Sequence, residues 1–219
     1  MADVHYAYLH GFGAGPDSYK GTSLHARMAA DGRILHLPDL QQPSFEKLTI
    51  TAALEALDTL DATVAVDGRK WCFVGSSMGG YLAALWAARH PVRVARLLLL
   101  CPGFDLGARW SRLIGSEALE EWEREGNHTF VSPQGVARDV HWGFVTDARQ
   151  HPGWPEVSCP THIIHGRLDA AVPCAGSLSY ASTRTHVTIE TVEDDHGLAS
   201  SLDVIWRGLR DTEPQNSGI

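Results

Sequence analysis

What this 219-residue chain lacks narrows its function before any motif is read. It has no apolar run of roughly 18 residues, so no segment suits a membrane-spanning helix. Its opening, MADVHYAYLHGFG, carries neither a basic leader nor a long apolar stretch ending in small residues, and a cytoplasmic location is expected. Lys and Arg total 18 against 26 Asp and Glu, giving a formal charge of -8 without any basic block. Nucleic acid is therefore not an expected partner, because nothing offers its phosphates a continuous positive surface. The four cysteines, Cys72, Cys101, Cys159 and Cys174, form no C-x-x-C pair and are expected to be reduced. Twelve histidines include no H-E-x-x-H or comparable ligand spacing, so neither a metal nor another cofactor is expected. No repeat, low-complexity stretch or linker divides the chain, which fits one α/β domain over 1–219.

What is present is a recurrence of short apolar runs separated by helix-like segments, the pattern of parallel strands joined by helical crossovers. The runs lie at 5–10, 33–38, 71–76, 96–102, 161–166 and 186–192, and several are apolar at nearly every position, as strands buried on both faces must be. Helices are expected over 23–32, 44–61 with Ser44 at its start, 78–90 and 198–210. The tail after Asp211 is expected to fray. Residues 104–160 interrupt the alternation, carry Trp110, Trp122, Trp142 and Trp154, and are too long for a plain crossover. Two helices are expected there, 116–126 and 135–150, together forming a cap or lid insertion. Phe104, Trp110, Trp142 and Phe144 are candidates to line a pocket beneath it, although tryptophans in such a segment also serve simply to build a satellite core. An exposed apolar face on that insertion would be compatible with a homodimer.

The chemistry gathers at the ends of these runs. Residues 75–79, GSSMG, turn from a buried strand into an Ala-rich helix and fit G-x-S-x-G. Only Ser77 has Gly two places before and two after; Ser76, flanked at that spacing by Val74 and Met78, reads as strand-end support. A serine hydroxyl needs an imidazole to take its proton and a carboxylate to orient that imidazole. Asp169 follows the strand at 161–166, and His196 follows the strand at 186–192, both at positions where open parallel sheets build their sites. His5, His10, His36, His162, His165 and His186 lie within or against strands. Asp105 is the competing acid, while Asp194 and Asp195 sit too near His196 in sequence and are expected to solvate its loop. For the developing oxyanion, the N–H of Met78 is one expected donor and that of Phe12, in the glycine-rich loop HGFGAGP, is the other, with Gly13 as the alternative.

Four motifs, HGFGAGP, GSSMGGY, HGRLDAAVP and DDHGL, resemble the α/β-hydrolase superfamily in content, order and position. The blocks YLHGFGAGPDSYKG, LPDLQQPSFEKLT, GSSMGGYLAALWA and FVTDARQHP are similar to those of small bacterial YqiA-like esterases. That resemblance implies a three-layer α/β-hydrolase fold with a minimal core of about six parallel strands, the two leading strands of larger hydrolases being absent. It also implies Ser77 as nucleophile, His196 as base, Asp169 as acid, and a small-molecule ester as substrate. Thioester, amide or carbon–carbon bond cleavage, acyl transfer, and a non-catalytic ligand-binding role share the same scaffold.

Overall fold

The computed structural model describes residues 4–131 and 135–211. The chain runs β1 (His5–Leu9), α1 (Tyr19–Ala30), β2 (Leu35–His36), α2 (Ile50–Val64), β3 (Trp71–Ser76), α3 (Met78–Arg89) and β4 (Val94–Leu100). It continues through α4 (Leu106–Ile114), α5 (Ser116–Glu125), β5 (Asn127–Val131), β6 (Ala137–His141) and α6 (Gly143–Ala148). The last elements are β7 (Thr161–Gly166), α7 (Cys174–Ser182), β8 (Val187–Val192), a short 3-10 turn at Ala199–Ser201 and α8 (Leu202–Asp211). The frayed tail expected after Asp211 lies outside the described residues.

Six strands form one sheet in the order β2-β1-β3-β4-β7-β8, and each neighbouring pair is parallel. Successive strand residues point to opposite faces, and here both faces are apolar. Ala7, Leu9, Trp71, Phe73, Leu97, Leu99 and Ile163 join a core with α2, α3 and the 104–160 segment. Tyr6, Tyr8, Cys72, Val74, Leu98, Leu100 and Ile164 join a second core with Leu24 and Met28 of α1 and Ile205 and Leu209 of α8. The result is a helix–sheet–helix sandwich with the parallel strands all ending on one edge. All four cysteines are unbridged.

Local chemistry explains where the elements depart from expectation. Helix α2 begins six residues later than Ser44 suggested, because Thr49 is the residue whose side chain accepts the Ala52 N–H. Between Phe104 and Pro160 the expected helix at 116–126 is present as α5, but the expected helix over 135–150 is not. Ala137–His141 instead pairs antiparallel with Asn127–Val131 as a two-stranded hairpin, and only Gly143–Ala148 is helical. The cause lies in Trp122 and Gly126: the buried indole donates to Val140 O at 2.8 Å, and the Gly126 carbonyl accepts the Trp142 N–H at 2.7 Å. Both bonds hold the Val140 stretch extended against α5.

This segment is anchored to the sandwich at several points. Asp147 accepts hydrogen bonds from Thr51 N (2.9 Å) and Thr51 Oγ1 (2.6 Å). Tyr81 of α3 donates to Pro152 O at 3.0 Å, and the His141 N–H reaches Glu46 O at 3.0 Å.

Candidate active site

The turn from β3 to α3 is shaped by glycines that admit no side chain. A Cβ on Gly75 would come within 2.4 Å of Gly79 O, and one on Gly79 within 2.0 Å of Leu9 O. The turn therefore closes on itself and packs against the end of β1. Ser77, at its apex, adopts φ 54° and ψ -117°, a strained conformation for a residue with a side chain. Its backbone is pinned on both sides: Ser77 N donates to Leu100 O at 2.9 Å, and Ser77 O accepts from Gly103 N at 2.8 Å and Gly80 N at 2.9 Å. Ser76 is buried at the strand end.

Two loops meet at the far end of the sheet. The N–H groups of Arg167 and Leu168, after β7, donate to Val192 O (2.8 Å) and Asp194 O (3.0 Å), after β8. Gly166 permits the approach, since a Cβ there would lie 2.3 Å from Asp194 O. The stitching brings Asp169 Oδ2 to 2.7 Å from His196 Nδ1. Asp169 Oδ1 accepts the N–H groups of Ala171 (3.0 Å) and Val172 (2.7 Å). The Asp169 side chain is wholly buried, and burial alone would raise its pKa. Hydrogen bonds from His165, His196 and the Val172 N–H outweigh that effect and hold the carboxyl well below its usual range. His196 keeps a partly open ring, 31 % exposed. Asp169, not Asp105, thus meets the histidine. Among the described residues no hydrogen bond joins the Ser77 hydroxyl to His196, a contact that commonly tightens only around substrate.

The loop after β1 lies directly against Ser77: a Cβ on Gly11 would be 3.3 Å from Ser77 Cβ. Among the described residues, neither the Phe12 N–H nor the Met78 N–H has an acceptor. Gly103 keeps the latter open, because a Cβ there would sit 3.2 Å from Met78 N. The Phe12 ring anchors its loop among Phe45, Trp110, Phe130 and Phe144, at centroid separations of 5.0 to 5.5 Å.

Several residues here take roles that the sequence did not assign to them. His10 is buried; its Nε2 accepts the Leu40 N–H at 3.0 Å, leaving Nδ1–H to donate to Gly11 O at 3.0 Å and fix the loop. His165 stands behind Asp169, its Nε2 2.8 Å from Val172 O and 3.3 Å from Asp169 Oδ2, while Nδ1 accepts from Ser177 Oγ at 2.9 Å. Asp194 does not solvate its loop: it is buried and accepts bonds from Asp195 N, Ser200 N and Ser201 Oγ, setting the path on which His196 sits. Lys20 of α1 donates to Gly197 O at 2.5 Å. For His10, His165 and Asp194 only their position near strand ends could have hinted at a role, since how each loop folds back leaves no spacing signal.

Of the four aromatic pocket candidates, Phe104 lines an open cleft. Trp110, Trp142 and Phe144 are not in its lining; they pack with Phe12, Trp122 and Phe130 into an aromatic cluster in which Trp110 and Phe144 are buried. Cys101, His165 and Asp169 converge with ligand atoms within 4.8 Å of one another. Both His165 nitrogens and both Asp169 oxygens already carry hydrogen bonds, and burial pushes the Cys101 thiol up to about 12, so this donor set does not suit a metal.

The family model described as "Uncharacterised protein family (UPF0227)" matches residues 5–137. The chain belongs to this UPF0227 family. The matched stretch includes Ser77 and the loop at 10–14 but ends before Asp169 and His196. The chain is 26% identical over 140 residues to mouse "Palmitoyl-protein thioesterase ABHD10, mitochondrial", covering 60% of this chain and 47% of that protein. It is 28% identical over 175 residues to "Monoacylglycerol lipase abhd6-A" of Xenopus laevis, covering 75% of this chain and 48% of that protein. The UPF0227 chain thus spans about half the length of these curated relatives. Among solved structures, Est1E from Butyrivibrio proteoclasticus superposes with a TM-score of 0.76 at 19% identity, over 96% of this chain and 87% of that one. The fold is that of the α/β-hydrolases, and the relatives carry esterase, lipase and thioesterase names. No helix among the described residues is long and apolar enough to cross a membrane.

Proposed function

We propose that this UPF0227 protein is a serine carboxylesterase that cleaves small esters through Ser77, His196 and Asp169. The observation that carries this reading is the 2.7 Å bond from His196 Nδ1 to a buried, ionised Asp169, at the strand edge where Ser77 crowns its turn. The carboxylate holds Nδ1 protonated, which leaves Nε2 as the base. Ser77 Oγ attacks the ester carbonyl while His196 takes its proton, and the oxyanion accepts the N–H groups of Phe12 and Met78. His196 returns the proton to the departing alkoxide, so the alcohol leaves and the acyl group stays on Ser77. Water then gives a proton to His196 and attacks the acyl carbonyl; His196 passes that proton to Ser77 Oγ as the acyl–oxygen bond breaks, releasing the acid and restoring both residues. The 104–160 segment is a roof for the site, and its bonds to Thr51, Tyr81 and Glu46 make it a fixed one. The largely apolar wall at Phe104, Trp154 and Val172 suits an apolar acyl or alcohol body.

Replacing Ser77 by Ala abolishes turnover of 4-nitrophenyl butyrate and labelling by a fluorophosphonate, with the melting transition retained. Undiminished turnover in that variant would overturn the assignment; a wild-type protein that takes no label would point to a non-catalytic ligand-binding role. The thioesterase name of the mouse relative favours a second reading on the same residues, and parallel assays of matched oxygen esters and thioesters separate the two.

A further inference from the structure

Beside these residues lies an open cleft of ≈ 190 Å³ between α4 and α7. It adjoins the proposed catalytic groups on two sides. Pro102 and Phe104, in its lining, flank the Gly103 whose N–H bonds Ser77 O, and Val172, also in its lining, donates its N–H to Asp169. Its wall carries Arg109 and Arg112 against a single carboxylate, Asp105. In a protein of net charge -8 this is a local reversal of sign, of the kind that draws an anion toward a cleft.

The two arginines differ in setting: Arg109 is half-buried in the cleft wall, while Arg112 is exposed. Three residues apart on α4, they repel each other. Arg109 has one hydrogen bond among the described residues, to Phe104 O at 2.7 Å; burial disfavours its charge more than Asp169 and Asp105 favour it. Arg112 makes no hydrogen bond or ion pair among the described residues. Guanidinium groups present forked donors that match carboxylate and phosphate oxygens, and an anion between the two would relieve their repulsion.

We propose that this cleft binds an anionic oxygen group, a carboxylate or a phosphate, carried by the ester that Ser77 cleaves. The substrate is then amphipathic, with an apolar body along Phe104, Trp154 and Val172 and a charged group held by Arg109 and Arg112. The proposal rests on the esterase reading for its chemistry, but its anion site can be measured without turnover.

Two pairs of anionic and neutral esters test it at low ionic strength. One compares mono-4-nitrophenyl succinate with 4-nitrophenyl butyrate and places the charge on the acyl side. The other compares 4-carboxyphenyl butyrate with phenyl butyrate and places it on the alcohol side. In at least one pair the anionic ester has the higher kcat/KM, by about tenfold, the scale of one charge-assisted hydrogen bond. The preference declines with added salt. In Arg112→Glu it falls at least tenfold; being a ratio, it is unmoved by a change in the folded fraction. Neutral esters preferred in both pairs, or a preference that Arg112→Glu leaves intact, would overturn the proposal. Independently, the Ser77→Ala protein is titrated calorimetrically with succinate and with inorganic phosphate. Binding of either, weakened at least tenfold by adding Arg112→Glu, is the expected result and says which anion is favoured. No binding of either sinks the anion site even if ester cleavage stands, whereas binding without any esterase activity sinks only the catalytic reading.

Discussion

At the residue scale, Asp169 shows how much one carboxylate can be asked to do. Asp169→Asn keeps an acceptor for the Ala171 and Val172 N–H groups but turns an NH2 toward His196 Nδ1 and His165 Nε2. His196 is then driven to the wrong tautomer, and kcat on a chromogenic ester is expected to fall by roughly 10⁴-fold with the fold retained. Because folding depresses the Asp169 pKa, its ionised form contributes stability above the unfolded value near 4 and loses it as pH falls further. Denaturant midpoints of wild type and Asp169→Asn are therefore expected to converge below about pH 4. Ser77, Asp169 and His196 were legible in the sequence because each lies just past a strand end, where one topology rule limits the choices. Asp194 and His165 were not. Their partners, Ser201 Oγ for one and Ser177 Oγ for the other, are set by how a loop folds back, and no periodicity records that.

At the element scale, the β3–α3 turn makes the sharpest stability prediction. Gly79→Ala sets a methyl 2.0 Å from the Leu9 carbonyl, backbone against backbone, and neither side can yield without moving β1. A loss beyond about 4 kcal/mol is expected, visible as failure to give a cooperative melt. Gly13→Ala, with open space around the added carbon but φ at 71°, is expected to cost only about 1–2 kcal/mol in denaturant midpoint experiments. The sheet was readable because its inner strands are apolar at nearly every position. The hairpin was not: Val136, Val140, Phe144 and Ala148 recur every fourth residue, a helical spacing, while the bonds that hold Ala137–His141 extended come from Trp122 and Gly126. Tertiary partners decided that element against its local pattern. Helix α4 has the opposite history: Leu106, Trp110, Leu113 and Ile114 are well spaced for a helix, but they were absorbed into an undivided insertion.

At the scale of the whole molecule, the perturbed groups define a stability dome in pH. Burial lowers the pKa of His10, His36 and His151, so below about 6.5 the unfolded chain binds protons that the folded one refuses. Stability consequently declines from pH 7 toward 5, before the carboxylates titrate. Burial also raises Cys101, Tyr8 and Tyr180 to about 12, so at alkaline pH the unfolded chain loses protons first and stability falls again. Urea midpoints across this range are expected to peak near neutrality, and His10→Gln should flatten the acid limb. A flat acid limb in wild type would contradict the burial of these rings.

The hydrogen bonds around Asp169 and His196 come from β7, β8, α1 and their own loops, and among the described residues none comes from 104–160. On the proposed reading, the parts that move a proton are thus separate from the parts that choose a molecule. On the proposed esterase reading, changes in the roof at Phe104 or Trp154 touch none of these bonds, so the range of esters accepted is redrawn while the proton relay stays where it is.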